Sequence, residues 1–257
     1  MALALIKAAV VIASGMVLAA CGTIPLELVT VDPRSLSMGL VAHWTFDEGS
    51  RTVVGDHSGN GHDGQLTGGT WTGAGHFGGA LHLAAGDYVT VSDFPQATSN
   101  WTVSVWIQLS PEQLAMDTAT NDYGTILSTE IAFMGGWQLQ LDERPGYQRF
   151  DASFWAGSTS SGDYVVNDCQ CVVTGQWLHL TAVFDDDADL FTLYQGDTVA
   201  NRMAMPSSIQ PGDATLYMGR WNQDQRFLSA DLDDFAIWNR ALTAGEVTVI
   251  SQQSPPD

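Results

Sequence analysis

The sequence predicts an all-β protein: an antiparallel β-sandwich closed by one short C-terminal helix. Three observations carry this prediction. Short runs in which apolar and polar residues alternate recur along the chain, the clearest being Trp101–Leu109. Turn-forming clusters such as DHSGNGHDG, GSTSSGD and DDDAD separate these runs. Helical signals gather near the end, where Thr243 and Glu246 have the spacing of a capping box after Asn239-Arg240-Ala241-Leu242. Many short strands with one terminal helix imply two packed sheets, and 257 residues suit one such sandwich.

The chain opens with a targeting segment. Met1–Lys7 supplies a short n-region containing the sole lysine, and an apolar run follows over Ala8–Ala19. It ends in Leu18-Ala19-Ala20-Cys21, which resembles the bacterial lipobox, where cleavage precedes a cysteine that receives lipid. Residues 1–20 are then a lipoprotein signal peptide and Cys21 the lipidation site. A retained membrane anchor is the alternative, but Ser14-Gly15 interrupts a run that needs about twenty apolar residues to span. Gly22 after the cysteine, in place of Asp, implies by resemblance to sorting rules the outer membrane of a bacterial envelope. Residues 21–38, with two prolines and no sustained periodicity, read as the lipidated cysteine and a tether.

From Gly39 the strands begin. Leu40, Ala42, Trp44 and Phe46 share one face, with His43 and Thr45 on the other. Asp47-Glu48, a turn at Gly49-Ser50 and a Val53-Val54 run lead to the glycine-rich loop at 56–64. Further on, Leu81 and Leu83 face Val89 and Val91 across a turn, and Trp137-Leu139-Leu141 alternates against Gln138 and Gln140. Phe150-Ala152-Phe154 alternates against Asp151, Ser153 and Trp155, and residues 112–123 read as a polar loop. Trp177–Asp185 and Leu190–Tyr194 form a hairpin around an acidic turn. The folded domain is placed at 39–250, with a disordered tail over 251–257.

Three of these stretches resemble one family. The order of an aromatic strand, FDE and D-x-SGNG-x-x-G over 39–64, then GHFGGALHLAAGDYVTV over 75–91, then DLDDFAIWNRAL over 231–242, is similar to LamG-like jellyroll domains. These belong to the concanavalin A-like lectin/glucanase superfamily, which holds enzymes, sugar binders and adhesive modules alike. The resemblance implies a jellyroll sandwich, and with it a structural Ca²⁺ between the early loop and the late strand. The matching oxygens are those of Asp47, Asp56, Asn60, the carbonyl of His62, and Asp233. Asp233 is expected to point inward, since it shares strand parity with Phe235 and Ile237. Hard oxygen donors suit Ca²⁺ better than Zn²⁺. The alternative is that Asp56 and Asn60 hydrogen-bond only their own turn.

Charge and chemistry narrow the function. With 29 acidic against 9 basic side chains and a net charge of -20, the chain repels nucleic acid and anionic membranes. Contact with a membrane is therefore expected through the lipid anchor alone. Glucanases of this fold carry their catalytic carboxyl groups on one strand as E-x-D-x-(x)-E, and none of the six glutamates sits in that pattern. The six histidines show no HExxH spacing, so a non-catalytic module is expected. Cys169 and Cys171 share a strand face and an oxidising compartment favours a disulfide between them, with two free thiols as the alternative.

A glycan platform needs flat side chains beside polar partners. Trp106 and Trp155 stand opposite their strands' aliphatic faces, and the loop Arg220-Trp221-Asn222-Gln-Asp224 adds hydrogen-bonding groups around a third indole. These are the candidate ligand residues. The expected partner is a glycan, with an envelope or extracellular protein as the alternative, and a hydrolase of unfamiliar chemistry as a third reading.

Overall fold

The computed structural model describes residues 31–116, 123–131, 135–143, 150–156, 164–204, 209–222 and 226–255, with the side chains of 114–116, 123, 142–143, 150–156 and 164–172 left undescribed. Two eight-stranded antiparallel sheets make up the sandwich. Sheet one runs in the order β14 (Thr198–Ala204), β13 (Leu190–Gln195), β12 (Trp177–Asp185), β7 (Trp101–Leu109), β16 (Ala230–Trp238), β5 (Ala80–Leu83) and β4 (Thr70–Thr72), with β1 (Leu40–Trp44) also paired to β16. Sheet two runs β11 (Tyr164–Val172), β10 (Phe150–Ala156), β9 (Trp137–Glu143), β8 (Tyr123–Ser128), β15 (Leu216–Met218), β6 (Tyr88–Val91), β3 (Gly64–Thr67) and β2 (Val53–Val54).

The alternating runs explain the core. Val103, Val105, Ile107 and Leu109 of β7 meet Val89, Val91, Leu127, Trp137, Leu139 and Leu141 of sheet two, all buried. Each such side chain contributes roughly 1.5–3 kcal/mol by leaving water. Trp44 and Phe46 extend this core at the start of the domain.

A second apolar cluster lies on the outer face of sheet one. Leu36, Ala236, Trp238, Leu242, Val247 and Ile250 pack there beneath the C-terminal helix α2 (Ala244–Ile250) and a 3₁₀ turn over Pro33–Ser37. Thr243 and Glu246 form the expected capping box. Arg240 grips Glu246 with two bonds of 2.9 and 2.7 Å and also donates to the carbonyls of Ser35 and Met38. Burial would raise the Glu246 carboxyl, but the Arg240 fork and the Thr243 N–H hold it down at about 2.

Four sequence expectations are corrected. The fold begins before Gly39, because Leu36 is fully buried and its carbonyl accepts the Trp238 indole N–H at 2.7 Å. The tail is packed as far as residue 255: Ser254 bonds Asp234 at 2.6 Å and Pro255 is buried. The stretch read as a polar loop at 112–123 begins inside a helix, α1 (Pro111–Met116), with Gln113 buried and accepting from Ser229 N. Strands β3, β4, β8, β11, β14 and β15 add to the predicted set, β4 and β15 being three-residue strands too short to show alternation.

Candidate functional site

The opening loop spends its oxygens on hydrogen bonds. Asp56 Oδ1 accepts from the N–H groups of His43 and Ser58, while Oδ2 accepts from His62 N and Ser58 Oγ, at 2.9–3.0 Å. Burial pushes the Asp56 carboxyl up, and these donors outweigh it, leaving the group below its ordinary value. Asn60 turns its amide N–H₂ to the carbonyls of Leu40 and Val41, and the His62 carbonyl takes the Trp44 indole N–H. Asp47 accepts from Gly79 N at 2.6 Å. Donors thus stand where a cation would need open oxygens. Asp47 and Asn60 also line separate clefts, and among the described residues no three His, Cys, Asp or Glu gather as for a metal. The expected Ca²⁺ set does not fit this arrangement.

Asp233 departs from its expected orientation. Leu232, Phe235 and Ile237 enter the core, but Asp234 adopts φ 42° and a bulge interrupts pairing between Asp233 and Ala236. The extra residue resets the alternation. Asp233 therefore lies opposite Trp106 on the outer face, completely buried, accepting from Phe77 N at 2.7 Å. Burial, with help from the neighbouring Asp234, raises its carboxyl to about 7. The loop over it needs glycine at 75: a Cβ there would sit 1.9 Å from the Gly79 carbonyl and 2.8 Å from Asp233 Oδ2. Asp234 instead meets His43 Nε2 at 2.9 Å.

Beside this loop the outer face of sheet one opens into a groove of about 460 Å³, lined by Trp106, Trp177, Leu178, His179, Gln195, Gly196 and Thr198. Pairing of β7 with β12 places His179 directly opposite Trp106, and Trp177 opposite Gln108. The exposed ring of His76 stacks on Trp106 with centroids 3.4 Å apart and 13° between planes, and meets Trp177 at 63°. Burial lowers the His76 pKa against the pull of Asp234, so the stack is between neutral rings at physiological pH.

The groove keeps an unsatisfied polar atom. Trp106 is 8% exposed and its indole N–H is buried with no partner. His179 gives Nε2 to a 2.7 Å contact with Ser104 Oγ, and the Gly196 backbone also supports its ring. Burial drives its pKa down to about 3, which fixes the imidazole as neutral. Ser104 is 1% exposed, so the Ser104–His179 contact presents no accessible nucleophile. Buried donors are normally paired, and the Trp106 indole N–H is a donor at this groove that no protein acceptor takes.

The described residues among the other expected ligand positions, Trp155, Arg220, Trp221 and Asn222, belong to sheet two or the loop that follows β15. Trp106 keeps the predicted face but is covered by His76, so the expected exposure is corrected. Trp221 is 6% exposed beneath Arg226, whose guanidinium sits 4.2 Å from the indole centroid, so it is no open platform. Asn222 reaches Asp213 at 3.5 Å, and Arg220 lies over Tyr88 and Tyr217. Trp155 pairs in register with Gln138. Its side chain and those of Cys169 and Cys171 fall outside the described ones, as do residues Asp224 and Cys21 altogether. Strand alternation could have found Trp177 and His179, which oppose Leu178 and Leu180 in parity. Their meeting with Trp106 depends on strand pairing, which a single strand does not reveal.

Comparison with known proteins agrees with the architecture. A family model for Laminin_G_3, of the Concanavalin A-like lectin/glucanases superfamily, matches residues 83–248. The binding domain of Paraclostridial Mosquitocidal Protein 1 superposes with a TM-score of 0.68 at 16% identity, over 84% of this chain and 52% of that one. Domain 4 of AbnA, an extracellular arabinanase of Geobacillus stearothermophilus solved with arabinotriose, gives 0.61 at 21% identity, over 83% and 98%. The botulinum neurotoxin serotype D ligand binding domain, solved with N-acetylneuraminic acid, gives 0.61 at 16%, over 86% and 52%. The chain spans about half the length of the toxin domains and nearly all of the arabinanase domain. No curated protein matches it. The fold's motifs, its two sheets and the family match converge: this chain belongs to the concanavalin A-like lectin/glucanases superfamily.

Proposed function

We propose that the protein is a non-catalytic glycan-recognition module, held at the bacterial envelope by lipid on Cys21, and that the sheet-one groove takes a neutral sugar. One observation carries the reading: Trp177 and the His76–Trp106 stack wall a groove at which the buried Trp106 Nε1 has no protein partner. A sugar ring offers C–H faces to the indoles and a hydroxyl to the Trp106 N–H, with Gln195 and Thr198 at the rim. The described lining has no cation, and His179 stays neutral, so nothing there favours an acidic sugar. Carbohydrate complexes of the arabinanase domain and of the neurotoxin domain support the ligand class by analogy alone.

The test is a screen of the purified full-length protein against neutral oligosaccharides, followed by titration of the best binder. Trp177→Ala is expected to weaken binding at least tenfold, about 1.4 kcal/mol, with a melting temperature near that of the parent. Unchanged affinity would remove the groove from the account. A hydrolase needs two carboxyl groups flanking the scissile bond, and the described lining has none. Release of reducing sugar would therefore overturn the non-catalytic reading.

A further inference from the structure

On the far side of the sandwich, we infer that Arg220 and its aromatic cage form a second binding site, one that takes the carboxylate of an acidic sugar. In a chain with 29 acidic and 9 basic side chains, an arginine finds carboxylates easily, yet among the described residues Arg220 makes no ion pair. Its guanidinium carbon instead lies 4.8 Å from the Tyr88 ring centroid, 5.5 Å from Tyr217 and 5.8 Å from Phe227. Its Nε is tied to the Trp221 carbonyl at 3.0 Å. Rings and carbonyl fix the cation in place and leave the Nη edge, which is absent from the buried unpaired atoms and so reaches solvent.

That edge presents parallel N–H donors, the complement of a planar carboxylate. Cation–π contact holds the charge without neutralising it. The surroundings suit a sugar. Strand register lines up Gln138, Ser128, Tyr217, Thr90 and Gln65 across the outer face of sheet two, a row about 19 Å long at ordinary strand spacing. Tyr217 offers a ring face, and Thr90 and Gln65 at the open end of the row offer a hydroxyl and an amide, whereas Ser128 is buried. Gln138 is 3% exposed and its amide oxygen, though turned away from the core, has no hydrogen-bond partner. The net charge of the whole chain repels anions at long range, so capture of one here rests on the local fork.

Trigalacturonate and its fully methyl-esterified form test this, since they differ in charge at an otherwise common scaffold. The full-length protein is expected to bind the acid at least tenfold more tightly than the ester. Arg220→Gln should abolish that preference, and Arg220→Lys should keep only a part of it because an ammonium lacks the fork. Trp177→Ala on the opposite sheet should leave the preference intact, so failure of this site and failure of the neutral groove read out separately. Equal binding of acid and ester by the parent protein, or no binding of either, would overturn the assignment without reliance on any variant. So would an Arg220→Gln protein that retains the preference, or inorganic sulfate competing as tightly as the trimer.

Discussion

Trp238 and Trp106 stand on the same outer face of adjacent strands and have opposite surroundings. Trp238 is fully buried beneath Leu36 and α2, and its indole N–H donates to the Leu36 carbonyl. Trp106 is nearly as buried, but a single exposed imidazole covers it and its indole N–H donates to nothing. Burial therefore does not separate a structural tryptophan from a candidate binding one. The state of the indole N–H does: at Trp238 a carbonyl takes it, and at Trp106 it is left for a partner from outside.

The largest effect that sharpens this contrast is on the finished half. Trp238→Ala should cost about 3–5 kcal/mol, since it leaves a cavity and an unpaired Leu36 carbonyl. At roughly 2–4 °C per kcal/mol for a chain of this size, the melting temperature should fall by about 6–20 °C. A loss of under about 1 kcal/mol would erase the distinction between the two halves.

A second effect concerns acid. The Glu246 carboxyl is depressed to about 2 from 4.5, so its contribution is present above pH 4.5 and lost as pH falls toward 2. That contribution is about 3 kcal/mol. Glu246→Gln should destabilise the protein at pH 7 and flatten the acid limb of its stability curve, as measured by urea unfolding. An unchanged acid limb would mean the Arg240–Glu246 clamp does not hold α2 on the sheet.

The smallest expected effect is none. With Asp56 encircled by donors, the melting temperature in EGTA and in millimolar Ca²⁺ should agree within about 1 °C, because an ion that does not bind the native state cannot stabilise it. A clear rise with Ca²⁺ would show that these oxygens can be released from their bonds.

Strand parity made much of the fold legible. Val103 to Leu109 were placed inward, Trp106 outward, and Thr243–Glu246 at the helix start, all from spacing. Three things escaped it. The Asp234 bulge, a left-handed backbone at a non-glycine residue, reversed the face of Asp233. The loop carrying His76 covered Trp106, a long-range contact invisible in either segment alone. The glycine-rich loop gave the same sequence signature for an ion site and for a self-bonded turn, and the backbone N–H groups of His43 and His62 chose the latter.

The central claim is that the groove at Trp106 and Trp177 is the open half of the face. Indole N–H resonances in a ¹H–¹⁵N spectrum test it directly, during titration with the tightest neutral oligosaccharide from the screen. The account predicts progressive shifts for Trp106 and Trp177, with Trp238 unmoved. Saturable binding that leaves Trp106 and Trp177 in place, or that moves Trp221 on the opposite sheet instead, would contradict it.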